Sequence, residues 1–444
     1  MSRVFNREIS LVQATALNMI DMVGIGPFAT LPIVLLAFPG KFSLIPWLAG
    51  AIVSLFDGWI WSELGAAWPE AGGSYIFLQR IYKSAIGRYL AFLYSFQTSL
   101  HLPLVMTSAC IGLLNYLNYL VPLSFWQGKA VMVSVVALIT FLLYRRVVAV
   151  AQIGMVFSVL VVGLLLWTIG TGCLGFSKEV WLANSVTPIF LRDGWRWATA
   201  FAIGAATSKT VYAFLGYYNV CHLGGEITSP KKNIPRSIFI SIVGIATLYL
   251  GMQAAVAGAL PATLITNENT PVISLLFERM YGALAAKVAT VLILLVCISS
   301  LFALLLGYTR IIYAAAADGL HFRWLAHLHP TKNFPDYALL FFAGVAMVFC
   351  LLFDQPSVVF RFIVVTRIFI QFIPQAIGVI WMRKQNRTPE LAFQMPLFPV
   401  PALLSVLFWL LLFITSGYLF ASAGIAVIVV ASLLYLLFFL QKKV

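Results

Sequence analysis

The sequence predicts an all-α integral membrane protein of about twelve transmembrane helices, arranged as a 5+5 inverted repeat with two accessory helices. Three observations predict it. Only 9% of the 444 residues are charged and 62% are hydrophobic, whereas a soluble domain is about 25% charged. Apolar stretches long enough to cross a bilayer recur along the whole chain. Two of those stretches carry helix breakers at corresponding places. So few charges cannot cover a soluble surface of this size, which excludes an ordinary soluble enzyme, a nucleic-acid-binding protein and a disordered scaffold. The net charge of +14 sits in short clusters between apolar runs, the pattern of loops beside membrane spans.

A helix needs about 20 apolar residues to cross the bilayer core. Twelve stretches qualify, roughly 11–38, 44–66, 86–110, 127–144, 149–175, 197–221, 237–259, 284–312, 336–353, 358–382, 400–417 and 421–440. An even number puts both termini on one side. Of the 28 lysines and arginines, 18 fall on the terminus side, 7 on the other, and 3 (Lys209, Arg361, Arg367) within or at the edge of spans. The excess of positive charge marks the terminus side as cytoplasmic. A multi-pass protein of the cell (inner) membrane is therefore expected. The connections are too short for a separate soluble domain. The chain 1–444 reads as one transport domain, with repeat one over about 11–175, repeat two over about 197–382 and accessory helices over about 400–440. Met1 to Ser10 lacks the pattern of a cleaved leader. Cys110, Cys173, Cys221, Cys297 and Cys350 are scattered singly, without metal or disulfide spacing.

Irregular backbone inside a membrane occurs only where it lines a cavity or is buried in protein. The first span contains Val23-Gly24-Ile25-Gly26-Pro27-Phe28. Each glycine costs about 1 kcal/mol in a helix interior and proline about 3. The sixth span has a weaker break signal over Tyr212 to Asn219, with Gly216 among aromatics. If spans one to five and six to ten are two halves, the breaks correspond, and five being odd makes the halves inverted. Interrupted helices at matching positions are a pointer to a secondary transporter's binding site.

These residues resemble a known family. The chain is similar to permeases of the amino acid–polyamine–organocation superfamily, of the bacterial L-type-like kind, which carry the LeuT-type fold. The resemblance rests on Gly24 to Phe28, on Glu63-Leu64 followed by Pro69 to Tyr75, on Tyr212 to Asn219 with Glu226 and Pro230 to Arg236, and on Thr309 to Tyr313 with Asp318-Gly319. Departures accompany it. Gly225-Glu226 stands where relatives often have two acidic residues. Val159 stands where many sodium-independent members carry a lysine, and the fifth span has no lysine. Pro27 removes one backbone N–H.

A break at Gly24-Ile25-Gly26 exposes free N–H groups at the start of the outer half-helix, an anion site suited to an amino acid carboxylate. Carbonyls of Tyr212, Ala213 and Leu215, beside Gly216, suit an ammonium. The aromatics Tyr212, Phe214, Tyr217 and Tyr218 are expected to set side-chain specificity. The resemblance makes Tyr212 a gate over the substrate. Ionisable residues inside spans are functional candidates by default. Asp21 and Asp57 are candidates to carry a coupling proton, Lys209 precedes the second break by about a turn, and His101 lies in the third span. Asp21 is equally a candidate partner for a cationic substrate end. Ser299 and Ser300 stand where relatives supply hydroxyls to a sodium site. Glu226 is expected in a charge network with Lys231, Lys232 and Arg236. His321, His327 and His329 read as loop residues. The expected function is amino acid symport or exchange by alternating access, proton-coupled or sodium-independent. The alternative is import of polyamines or other organic cations. No cofactor, metal, enzymatic site or nucleic-acid partner is expected; the partners are a small solute and the bilayer.

Overall fold

The computed structural model describes residues 5–185, 197–267, 270–353, 366–385, 392–415 and 417–438. The beginning of the tenth expected span and the end of the twelfth lie outside these residues. So do several basic residues of the charge count, including Arg192, Arg196, Arg361 and Arg387.

Helix α1 (Leu11–Met22) opens with a capping box. Gln13 N–H donates to Ser10 Oγ, and Ser10 N–H donates to Gln13 Oε1 at 2.9 Å, which satisfies two otherwise orphaned donors. It stops at the glycine-rich stretch, and α2 (Gly26–Ala37) continues after a bend of 48°. Pro27 lies in the first turn of α2, where a missing N–H breaks no helical bond and the fixed φ suits the helix. The proline therefore starts the second half-helix and does not itself form the gap.

Further helices follow as α3 (Leu44–Ala67), α4 (Ser74–Tyr82), α5 (Ser84–Leu120), α6 (Phe125–Leu143), α7 (Val147–Leu174), α8 (Lys178–Asn184), α9 (Trp197–Phe214) and α10 (Asn219–His222). The rest are α11 (Pro230–Ala259), α12 (Val272–Tyr281), α13 (Ala283–Ala317), α14 (Asp336–Leu352), α15 (Ile373–Lys384), α16 (Val400–Thr415) and α17 (Tyr418–Phe438). Among the described residues six helices are each long and apolar enough to cross a membrane, and the bent α1–α2 pair makes a seventh. The protein is thus an all-α, multi-spanning membrane protein. The shorter helices α9, α14, α16 and α17 coincide with expected spans.

The two interrupted spans pack against each other. α1 contacts α10, and α2 contacts α9, so the first half of one span meets the second half of the other. This is an antiparallel pairing of the two broken elements. Around them, α3 packs along α9 and α11, and α5 along α13. The face that carries the N-terminus is closed by short backbone pairings, Ile9 with Ile227 and Ala71 with Leu223. Two buried ion pairs lie on the same side. Arg310 donates to Glu226 at 2.7 and 3.2 Å, and Arg383 donates to Glu63 at 2.9 and 2.7 Å. The expected network of Glu226 with Lys231, Lys232 and Arg236 is thus corrected. Glu226 is fully buried, and the bidentate guanidinium of Arg310 satisfies both its oxygens, which the exposed lysines on the first turn of α11 do not.

Candidate functional site

The span-six break forms because α9 ends at Phe214 and the chain turns over Leu215–Tyr218 before α10. Gly216 has φ +123°, a conformation that glycine adopts without steric cost. A Cβ there would also lie 2.7 Å from the carbonyl carbon of Asp21 and from the nitrogen of Met22. Glycine is needed twice over: for the turn and for the close approach of one break to the other. Gly24 is similarly crowded, since a Cβ would sit 2.5 Å from Ser300 Oγ. The Tyr249 hydroxyl lies 3.1 Å from both the Met22 and Ala213 carbonyls, bridging the two gaps with the one proton it can donate at a time.

Between the breaks lies a cavity of about 60 Å³, lined by Asp21, Gly24, Ile25, Gly26, Tyr212, Leu215 and Gly216, with His101, Tyr218, Ser300, Tyr308 and Arg367. Among the described residues, the N–H groups of Gly24, Ile25, Gly26 and Phe28 have no acceptor. Unpaired donors at the positive end of a helix are of the kind that attract anions. The carbonyl side differs from expectation in detail. The Tyr212 carbonyl receives the Leu215 N–H at 3.2 Å, and that of Ala213 receives Tyr249, whereas the Leu215 carbonyl has no donor among the described residues.

The expected side chains divide. Tyr212 lines the cavity, and a Cβ on Gly26 would stand 3.5 Å from its ring. Phe214 and Tyr217 do not line it. Phe214 packs on Trp47 and Tyr249 with ring centroids 6.1 and 5.2 Å apart. The Tyr217 hydroxyl donates to Asp57 Oδ2 at 2.5 Å. Asp57 also accepts from Trp61 Nε1 at 2.9 Å and from Trp409 Nε1 at 3.3 Å. Ser299 bonds its own helix at the Val296 carbonyl, while Ser300 donates to the Asp21 carbonyl at 3.2 Å. Lys209 is not among the cavity residues. His321 contacts Ser99, and burial pushes its imidazole down to about 4. His327 pairs with Asp336 at 2.7 Å. Among the described residues no group of His, Cys, Asp and Glu could hold a metal.

Two polar cavity residues escaped the sequence reading, Tyr308 and Arg367, and the charged one is Arg367. It is 2% exposed. Its Nε donates to Gln371 at 2.6 Å, and Nη1 donates to the Tyr218 hydroxyl at 2.7 Å and lies 3.3 Å from His101 Nε2. Gln371 is in turn fixed on Ser74 at 2.9 Å. A π-helical turn, Ile368–Phe372, follows directly; such turns are frequent at functional sites. The signal for Arg367 was available. The rule that singled out Asp21 and Asp57, an ionisable residue inside a span, applies equally to Arg367, which the tenth expected span, 358–382, encloses.

An all-helical membrane bundle with two interrupted spans around a buried polar cavity defines a transporter of small solutes. The family model for amino acid permeases matches residues 9–440, and the chain belongs to that family; it is a membrane permease and not an enzyme. Similar proteins include the serine/threonine exchanger SteT of Bacillus subtilis (strain 168), 25% identical over 90% of this chain and 89% of the relative. The putrescine transporter PotE of Escherichia coli (strain K12) is 23% identical over 72% of this chain and 70% of the relative. The glutamate/serine transporter AimA of Bacillus subtilis (strain 168) is 26% identical over 78% and 66%.

Proposed function

We propose that the protein is a secondary transporter of amino acids that works by alternating access around the cavity between the two breaks. The observation that carries this reading is the set of N–H groups of Gly24, Ile25 and Gly26, which line that cavity and have no acceptor among the described residues, continued along α2 by that of Phe28. The α-carboxylate sits on these donors. The ammonium meets the Asp21 carboxylate and the Leu215 carbonyl, and Tyr212 covers the site. The antiparallel pairing of the broken spans supports a LeuT-type arrangement of two inverted five-helix halves with two accessory helices. The charge bias supports cytoplasmic termini in the cell (inner) membrane.

Asp21, whose carboxylate faces the cavity without a hydrogen bond among the described residues, is the candidate to carry a coupling proton, with Ser300 as the hydroxyl to test if transport needs sodium. Asp57, whose carboxylate is already filled by three donors, is assigned a structural role, and Ser299 likewise. SteT and AimA by name act on amino acids, which agrees with this reading. PotE, named for putrescine, keeps a polyamine reading in view. A cationic Arg367 in the cavity disfavours a dication there, because like charges repel strongly in a medium of low dielectric constant.

The test is uptake of labelled amino acids into proteoliposomes by wild type and Gly26→Leu. A Cβ on Gly26 would stand 3.3 Å from the Ala213 Cα, so a leucine there crowds the gap between the two breaks. Uptake is expected in wild type and lost in a variant that still inserts. Wild-type affinity in Gly26→Leu removes the anion-site reading.

A further inference from the structure

The cavity holds more charge than a neutral amino acid can satisfy. Two groups face it with unmet demand, and a third lies enclosed on a residue of its wall. The N–H groups at the start of α2 want an anion. The Asp21 carboxylate makes no hydrogen bond among the described residues. Nη2 of Arg367, a residue of the cavity wall, is buried and has no hydrogen-bond partner among the described residues. Asp21 and Arg367 line the same space and feel each other's charge, yet they form no direct ion pair. Two opposite charges buried together and held apart are costly, and a ligand placed between them relieves both.

From this demand we infer that the transported solute is an amino acid with a carboxylate side chain, and that Arg367 selects it. The inference rests on the amino acid reading given above. In this arrangement the α-carboxylate takes the N–H groups of Gly24 to Phe28 and the ammonium takes Asp21. The side-chain carboxylate takes Nη2 of Arg367. The sum is two anionic groups and one cationic group on the ligand, against two anion sites and one cation site on the protein. A neutral amino acid leaves one anion site empty, and an unmet charged donor is penalised more than a neutral one. A diamine meets Asp21 but brings its second charge toward Arg367.

The guanidinium is built for such a role. Gln371, anchored by Ser74, holds Nε, and Tyr218 holds Nη1, so the fork is fixed before the ligand arrives and little freedom is lost on binding. The faces of Tyr218, Tyr308 and Phe372 lie 5.2, 5.8 and 5.3 Å from its central carbon, which adds cation–π support while leaving Nη2 unbonded. The open volume of about 60 Å³ matches the liquid share of about two water molecules. Entry of the ligand therefore requires the half-helices to move apart.

The experiment is a thermal-shift titration of the purified full-length protein with aspartate, glutamate, asparagine, glutamine, leucine and putrescine, repeated on Arg367→Gln and Arg367→Lys. Aspartate or glutamate is expected to bind about tenfold or more tighter than its own amide in wild type, the worth of one charge-assisted hydrogen bond. Arg367→Gln should abolish that preference while amide binding persists, and Arg367→Lys should keep part of it. Wild-type protein that binds amides or leucine as well as the acids overturns the assignment but leaves the amino acid reading standing. Equal weakening of acid and amide by Arg367→Gln also overturns it, since the arginine then serves the fold. A response to putrescine alone, or to no amino acid, removes both readings. If Arg367→Gln does not fold, the wild-type acid-to-amide ratio and Arg367→Lys decide the matter.

Discussion

Asp21 and Asp57 are the same residue type, and both are buried, 6% and 1% exposed. Asp57 is filled: Trp61, Tyr217 and Trp409 donate to it from α3, the span-six break and α16. Asp21 stands at the end of α1 with no hydrogen bond among the described residues, and it lines the cavity. Burial alone therefore does not mark a functional acid in a membrane. Satisfaction separates the two: a carboxylate that already has its donors holds elements together, and one that lacks them has capacity for a ligand or a proton.

The largest effect that would break this contrast falls on Asp57. Asp57→Ala orphans two indole N–H groups and a phenol in the interior and should destabilise the fold by about 3 kcal/mol or more, at about 1–3 kcal/mol for each buried donor left unsatisfied. A melting curve in detergent measures it. An unchanged melting temperature would show that the three bonds contribute little, and the contrast would collapse. Gly216→Val comes next. Its side chain would enter the 2.7 Å gap to the Asp21–Met22 backbone in a disallowed conformation, so binding should vanish even where membrane insertion survives, as ligand titration would reveal.

Asp21→Asn should behave in the opposite way to Asp57→Ala. No hydrogen bond is lost, so the melting temperature should move little, while accumulation driven by a pH gradient disappears in proteoliposomes. Normal accumulation in Asp21→Asn would make Asp21 structural too. The smallest effect is expected at Tyr212. Tyr212→Phe keeps the ring over Gly26 and should be mild, whereas Tyr212→Ala should lower maximal transport rate more than equilibrium affinity, because the cover over the site is lost.

What the sequence disclosed follows from how local each cause is. The break in span one is written within four consecutive positions, Gly24 to Pro27, where two glycines weaken the helix and the proline fixes the start of the next one. The break in span six was legible only by its position, since Gly216 derives its necessity from touching Asp21 and Met22 some 195 positions earlier in the sequence. The roles of Phe214 and Tyr217 were not legible. Neighbouring aromatics on a turn point in different directions, and which one meets the cavity depends on Trp47, Tyr249 and Asp57. Arg367 was passed over because it was counted together with Arg361, which lies near the edge of the same stretch where an arginine reads as a snorkelling end residue, although Arg367 itself lies well inside it.

The central claim is that the cavity between the two breaks binds the common end of an amino acid through the N–H groups of α2. The most direct measurement is equilibrium binding to wild-type protein of one transported amino acid and of the same compound with its α-carboxylate converted to the α-carboxamide. The account predicts that the amide loses most of the affinity, by about tenfold or more, because a neutral group replaces the anion on four acceptor-free donors. Equal affinity of acid and α-amide would contradict it.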